Sequence, residues 1–464
     1  MNQTIYGVID YLNKTYGYNI STSYYHNIGT WLDWWKGKHK PFHEYNENGF
    51  NGRILKRDMY TMKMAKKICE DWASLILNEK TSIVIEDKKA SEFIQGEDEN
   101  GGVFKDNNFW VNANALVEKA FALGTGAFAT RYDNGKIKIA YIDAGHIIPI
   151  SYDNGEITEV AFVSGKTIKG KDYVYLEMHT LENGRYKITN RFFDENFKEV
   201  TNIYPDIVPE YDTRNNIPWF SIITPNIVNN VEPDNPLGVS VYANAIDNLK
   251  GLDLAYNNFC RDFKLGGKKV FLDRSMTQID ENGNTITPDD VAQQLFQIVG
   301  EGMIDNSNQT LVHEFNPSLR VSENSEAIQS QLNYLSTKCG FGERYYNFDT
   351  GGITTATQVI SENSSMFRNI KKHEIIVEQS LIRLVRAILS MENYNPNVQI
   401  SVKFDDSIIE DKTAERAQDR QDVSMGVMSL VEYRMKYYGE DESTAKKNLP
   451  SMNEIDGGDE NAET

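Results

Sequence analysis

Val241, Ala245, Leu249, Leu252, Tyr256, Phe259 and Phe263 step along the chain by 4, 4, 3, 4, 3 and 4 residues. Apolar side chains at that spacing share one face of an α-helix, and the steps follow a heptad-like seam. The spacing predicts a helix of about 27 residues, roughly 40 Å long at 1.5 Å per residue. It starts near residue 238 and stops at Gly266-Gly267. A single apolar stripe on so long a helix needs a neighbour along its whole length, because propensity alone holds a helix only marginally in water. The opposite side carries Asp247, Lys250, Asn257 and Asn258 and is expected to face water or a channel. A second helix is expected over 323–345 and a third over 355–392. The third carries the stripe Val377, Leu381, Leu384, Ile388 and Met391, with Thr354 or Thr355 as its cap. At about 57 Å it exceeds the usual globular helix.

The rest of the chain reads differently. Met62, Ala65, Cys69, Trp72 and Ile76 share one face of a helix expected over 55–78. Ser82-Ile83-Val84-Ile85 is a short strand, and a helix over 108–123 ends at Gly124. Three tryptophans (Trp31, Trp34, Trp35) mark a packed helical corner between Ile28 and Gly37. From 125 to 223 strand-like runs alternate with the turn pairs Asn134-Gly135, Asn154-Gly155 and Asn183-Gly184, which predicts antiparallel hairpins. Pro205, Pro209, Pro218, Pro225, Pro233 and Pro236 then mark an extended, strand-poor connection. Residues 268–320 read as a mixed insertion: a strand at Lys269-Val270-Phe271-Leu272, a turn at Asn282-Gly283 and a short helix from Pro288. Val398 to Phe404 is a strand, residues 411–447 are amphipathic helices, and an acidic tail follows. The fold class is therefore α+β.

Composition narrows the function. The formal charge is −19 over 464 residues, which disfavours tight wrapping of nucleic acid, since duplex DNA is held mainly by Lys and Arg. It does not disfavour a like-charged tube through which DNA slides. Three cysteines are too few for a disulfide framework, and the N-terminus has no basic start followed by an apolar core. No apolar run approaches the roughly 20 residues that span a bilayer. Ser164-Gly165-Lys166-Thr167 resembles the end of a phosphate-binding loop, but Val160 stands where its first glycine belongs. Gly238-Val239-Ser240 lacks the closing glycine of a nucleophile elbow, and Gly124-Thr125-Gly126 reads as a tight turn. His39 and His43 flank Pro41, which is expected to break the helix that would align them on a metal. No catalytic residue, metal or cofactor is expected. Two features stand out. Arg261, Lys264, Lys268, Lys269 and Arg274 outnumber Asp262 and Asp273, a local charge of +3 in an acidic chain. The segment Thr350-Gly351-Gly352-Ile353-Thr354-Thr355 lies between two long helices, and its Gly-Gly pair permits more backbone freedom than a turn needs.

The order of these elements resembles a portal protein of tailed bacteriophages, of the kind found in siphophages of Gram-positive hosts. Met64 to Glu79 is similar to the first long helix of that family, and Phe121-Ala122-Leu123-Gly124-Thr125-Gly126-Ala127-Phe128 to its entry into the wing sheet. Asn235-Pro236-Leu237-Gly238-Val239-Ser240 resembles the start of the stem, and Gly351-Gly352-Ile353-Thr354-Thr355-Ala356-Thr357 the tunnel loop and the helix after it. The resemblance implies a portal fold. Residues 1–237 form a mixed α/β wing, 238–265 and 323–345 the stem helices, and 266–322 a small α/β clip. Residues 346–355 form the tunnel loop, 356–405 a long helix and returning wing strand, and 406–464 a short α-helical crown with the acidic tail. It further implies a non-enzymatic ring, usually of twelve identical subunits, at one capsid vertex of the virion, assembled in the host cytoplasm. Double-stranded viral DNA passes through such a ring. Its partners are the terminase large subunit, head-completion or adaptor proteins, and the major capsid and scaffolding proteins.

On this reading loop residues 350–355 contact DNA and the five cations lie in the channel or clip. Val241, Leu249, Leu252, Tyr256, Phe259 and Phe263 pack between subunits. Two other readings stay open, another head or tail structural protein and a nucleic-acid motor. A central hole in micrographs separates the ring from the first, and an ATPase assay from the second.

Overall fold

The computed structural model describes residues 2–48, 52–97, 101–201, 203, 207–273, 281, 296–299, 312–347, 356–392, 394–404 and 412–449. Two compact units are present. One comprises Met1–Gly351 with Arg368–Phe404, and the other Gly352–Phe367 with Asp405–Thr464.

In the first unit, helices α1 (Asn2–Tyr16) and α2 (Tyr24–Trp35) form the N-terminal corner. Ile28, Trp31 and Trp34 are buried, as the tryptophan cluster implies. A one-turn helix α3 (Lys40–His43) leads into the hairpin β1 (Glu44–Asn48) and β2 (Ile54–Asp58). Here the structure departs from the helix expected over 55–78. Residues 54–58 pair across to β1, and the helix α4 begins only at Met64 and ends at Ile76. Ladder hydrogen bonds from a partner ten residues upstream override the helical periodicity. Ala65, Cys69, Trp72 and Ile76 are buried as a face, whereas Met62 precedes the helix. Pro41 does not break α3 either. It sits in the first turn, where its missing N–H is no loss.

Strand β3 (Ser82–Ile85), short helices α5 (Lys88–Gln95) and α6 (Gly102–Asp106), and the buried helix α7 (Phe109–Leu123) follow. The β-rich region is two antiparallel sheets. One has the order β11–β4–β5, from β4 (Gly126–Asp133), β5 (Lys136–Asp143) and β11 (Phe220–Ile223). The other has the order β10–β9–β8–β7–β6, from β6 (Ile147–Asp153), β7 (Glu156–Ile168), β8 (Lys171–Glu182), β9 (Arg185–Phe193) and β10 (Glu210–Asp212). Both residues of each Asn-Gly pair have positive φ, from Asn154 at 48° to Gly155 at 79°. Such turns match the twist of the flanking strands. Lys169-Gly170 adopts the same conformation without an asparagine to announce it. The proline-marked connection contributes β10 and β11, so it is less strand-poor than its composition implies.

Helix α8 (Ile246–Leu265) is preceded by a 3-10 turn at Ala243–Ala245, and α9 (Val321–Lys338) stops at Gly340, whose φ is 89°. Both helices are shorter than the spacing predicts. Residues 238–242 are not helical, and residues 339–345 form turns that pack Phe341 beneath Trp72 with ring centroids 4.7 Å apart. Helix α10 (Ala356–Met391) matches its expected span, and Val377, Leu381, Leu384, Ile388 and Met391 are all buried. Strand β15 (Ile400–Lys403) pairs antiparallel with β3 across more than 300 residues of sequence, Ile400 opposite Ile85 and Lys403 opposite Ser82. Between α8 and α9 a small sheet has the order β13–β12–β14, from β12 (Lys269–Asp273), β13 (Phe296–Val299) and β14 (Val312–Phe315). The turn expected at Asn282-Gly283 and the helix from Pro288 lie outside the described residues.

The second unit contains α11 (Lys412–Ser424), α12 (Leu430–Tyr438) and α13 (Glu442–Lys447). Ser429 and Glu432 form a reciprocal capping box at the start of α12, and Asp441 caps α13. Residues 450–464, which carry the acidic tail, lie outside the described residues.

Candidate functional site

Helices α8 and α9 lie antiparallel. Near the end of α8, Asp262 accepts from Arg320 Nη2 at 2.8 Å and from Asn324 Nδ2 at 2.9 Å at the start of α9. Eleven residues back, a Cβ on Gly251 would stand only 3.0 Å from Gln331 Oε1. The glycine lets the two helices approach. The Arg320 guanidinium, then the Asn324 amide, hold the Asp262 carboxyl below the usual carboxylate range.

The stem-like pair is fastened to the N-terminal segment by polar groups that sequence periodicity does not reveal. Asp253 is buried on α8 and takes three donors. His43 Nε2 lies 3.0 Å from its Oδ2, Thr61 Oγ1 donates to the same oxygen at 2.9 Å, and the Met62 N–H donates to Oδ1 at 2.8 Å. His43 Nδ1 lies 2.9 Å from the His39 amide nitrogen and 3.0 Å from the His39 carbonyl oxygen, so the ring is held at both of its nitrogens. So His39 and His43 are brought together by α3, with a buried aspartate as the ring's partner. Asn257 accepts from the Tyr60 N–H at 3.2 Å and is buried. It is therefore not part of the polar outer side on which the sequence places it. One helical turn further, Arg261 donates to Tyr45 at 2.8 Å and to Glu47 at 2.9 Å, and Glu47 also takes Arg57.

The entry to α8 is held by an approach of backbone to backbone. Gly124, at φ 88°, ends α7, and a Cβ there would lie 2.1 Å from the carbonyl oxygen of Gly238. The Gly238 N–H donates to Thr125 Oγ1 at 3.0 Å, its carbonyl accepts from the Tyr24 hydroxyl at 2.7 Å, and the Val241 N–H donates to the Phe121 carbonyl at 3.0 Å. Gly124-Thr125-Gly126, which reads in the sequence as a tight turn, and Gly238-Val239-Ser240, which reads as an incomplete nucleophile elbow, meet at one crossing point.

The residues expected to pack between subunits divide into two sets. Val241, Leu249 and Leu252 are already covered within the single chain. Tyr256 and Phe259 are half-buried, and Phe263 is 49% exposed with its ring against Phe259 at 4.9 Å. Leu265 on α8 (55% exposed) and Tyr334 on α9 (61%) are also uncovered. Their positions off the main stripe hide them from a heptad reading. Among the cations, Arg261 is paired with Glu47, and Lys268 meets Glu314 of β14 at 2.8 Å. Lys264 is exposed at the end of α8, Lys269 begins β12, and Arg274 lies outside the described residues. Thr350, Gly351, Gly352, Ile353, Thr354 and Thr355 lie outside them as well. Cys69 and Cys339 are buried, and burial pushes the Cys69 thiol well above its ordinary range. Among the described residues no cluster of His, Cys, Asp and Glu suits a metal ion, and no helix is long and apolar enough to cross a membrane.

A family model described as phage portal protein, SPP1 Gp6-like, matches residues 16–449. A search of the curated proteins gives no match. Among solved structures, a chain from the neck of a native GTA particle, computed with C12 symmetry, is similar with 12% identity and a TM-score of 0.40. The match covers 80% of this chain and 87% of that one.

Proposed function

The chain belongs to the SPP1 Gp6-like phage portal protein family, whose members are structural virion components and not enzymes, and from that premise we propose that identical copies form a ring enclosing a channel for double-stranded DNA. The observation that carries this reading is the antiparallel pair α8 and α9. Its apolar residues Phe263, Leu265 and Tyr334 stay about half exposed or more in the single chain, and a ring would cover them on every subunit at once. The ring, of about twelve copies by the family resemblance, would sit at one capsid vertex. The terminase motor would dock on it during packaging and head-completion proteins afterwards. The sheet β13–β12–β14 between the two stem helices would serve as the docking clip.

The net charge of −19 supports sliding, because an acidic protein offers a polyanion no deep electrostatic minimum. With Arg261 and Lys268 already paired, Lys264 and Lys269 remain among the described cations to touch phosphates, with Arg274 beside them in the sequence. Such contacts are weakened by salt within a Debye length of roughly 8 Å at physiological ionic strength. Residues 350–355 would approach the duplex closely, because two glycines add no side-chain bulk. Negative-stain micrographs and native mass spectrometry of the purified full chain test the reading. Rings with a central hole and a mass that is a multiple of 53.0 kDa are expected; a monomer at all concentrations overturns it. Deleting residues 351–352 should leave the rings intact and reduce the DNA retained in particles.

A further inference from the structure

Both sheets of the β-rich region line a cleft away from the stem. Two adjoining cavities of about 350 Å³ each share Arg131 of β4, Lys166 of β7, and Tyr175 and Glu177 of β8. One extends towards Asp143 and His146, the other towards Tyr211 and Trp219. Glu177 is committed within the chain. Its Oε1 lies 2.9 Å from His179 Nε2, and its Oε2 accepts from the Tyr175 hydroxyl at 3.0 Å. Arg131 and Lys166 are different, because neither has an ion-pair partner among the described residues. Lys166 Nζ stands 5.8 Å from the centre of the Tyr175 ring. Burial and then the Arg131 charge hold the Lys166 ammonium below its ordinary pKa. The charges of Glu177 and Asp133 also reach Lys166, yet neither carboxylate closes an ion pair with it. Trp219 adds an independent observation. It is 4% exposed, lines the same cleft, and its indole Nε1 has no hydrogen-bond partner among the described residues.

The groups without a hydrogen-bond or ion-pair partner among the described residues are all donors: the exposed Arg131 guanidinium, the half-buried Lys166 ammonium and the buried Trp219 indole N–H. They call for an acceptor, and the charges call for an anion. A polyanion fits poorly, because Asp133, Asp143 and Glu177 stand in the same cleft and would repel successive phosphates. A single carboxylate beside an apolar side chain fits better, since Val208 and Tyr211 expose apolar surface at the Trp219 end.

We propose that this cleft binds an acidic peptide segment of a partner protein, one carboxylate lying between Arg131 and Lys166 and the adjoining apolar side chain resting on Val208 and Tyr211. The test uses fluorescein-labelled acetyl-Asp-Phe-Asp-Leu-Glu-Phe-Asp-Gly-amide titrated with the full chain and followed by anisotropy. Saturable binding is expected, weakened at least about tenfold by Arg131→Glu with Lys166→Glu, and by a peptide carrying Asn and Gln in place of its acids. Lys166→Gln, which keeps the stem of the side chain, should weaken binding by a smaller factor with unchanged circular dichroism. Trp219→Phe should abolish the change in intrinsic emission that accompanies binding. Equal affinity for the charge-reversed protein, or for the amide peptide, overturns the proposal. So does displacement of the peptide by a duplex oligonucleotide at the same charge concentration, which would make the cleft a phosphate site.

Discussion

Asp253 is the residue whose removal should be felt furthest from its own position. Asp253→Ala leaves the His43 ring, the Thr61 hydroxyl and the Met62 N–H without an acceptor in a buried place. Orphaned buried donors cost more than the net worth of the bonds they made. A loss of about 3 kcal/mol is expected, read as a lowered urea midpoint at unchanged slope; Thr61→Ala, which removes one donor to Asp253 and only the exposed acceptor of the Lys63 N–H, should cost about 1 kcal/mol. His373 makes a second residue-scale prediction, this one in pH. Its Nδ1 accepts from the Asn226 N–H at 3.0 Å beside Trp72, and burial, with Lys372 nearby, lowers its pKa to about 3. The unfolded chain takes up a proton near pH 6.5 and the folded chain does not, so stability is complete above that pH and falls as pH drops towards 3. His373→Asn keeps an acceptor and removes the titration. Its urea midpoint should change less steeply between pH 6.5 and 4 than that of the native chain; an equal slope would remove His373 from the acid response. Neither site was legible in the sequence. The residues of the Asp253 knot lie about 190 to 210 positions apart, and no local period records such a separation.

At the scale of elements, legibility followed the range of the forces. The stripe on α10 was readable because five buried residues repeat within one helix, and the Asn-Gly turns because their positive φ is a local demand. The strand at 54–58, read as helix, was not, because its state is set by β1 across a gap. The early end of α9 at Gly340 depends on Trp72 and Asn369, which bond the carbonyls of Cys339 and Gly340 at 3.1 and 2.8 Å. Gly124 was readable as a helix stop but not as the point where α7 meets the chain entering α8. That double role predicts a large substitution effect. Gly124→Ala meets both a positive φ and a carbonyl at 2.1 Å, and should cost about 3 kcal/mol. Gly165→Ala, with open space around it and an ordinary φ, should stay within about 0.5 kcal/mol. Thermal melts of the two variants side by side check the contrast, and equal melting temperatures would refute the crossing-point account.

For the whole molecule, the apolar residues left open on α8 and α9 set the expected behaviour. Phe263→Asp with Leu265→Asp places charge on surface that one chain does not bury, so folding should persist while native mass spectra shift from rings to single chains. Leu252→Asp, in contrast, strikes a site the chain buries itself and should lower the melting temperature of the subunit. The candidate site was thus half visible. The heptad spacing located α8, but only the folded chain distinguishes the part of its stripe that closes inward from the part left open. The β3–β15 ladder has a last consequence. It knots residues 82–85 to residues 400–403, while everything from α8 to α9 is an excursion that leaves and returns between them. A backbone cut between β12 and β14 would therefore not release two pieces. The halves should co-elute in buffer and part only in denaturant, and the two segments, synthesised separately, should find one another and rebuild the subunit.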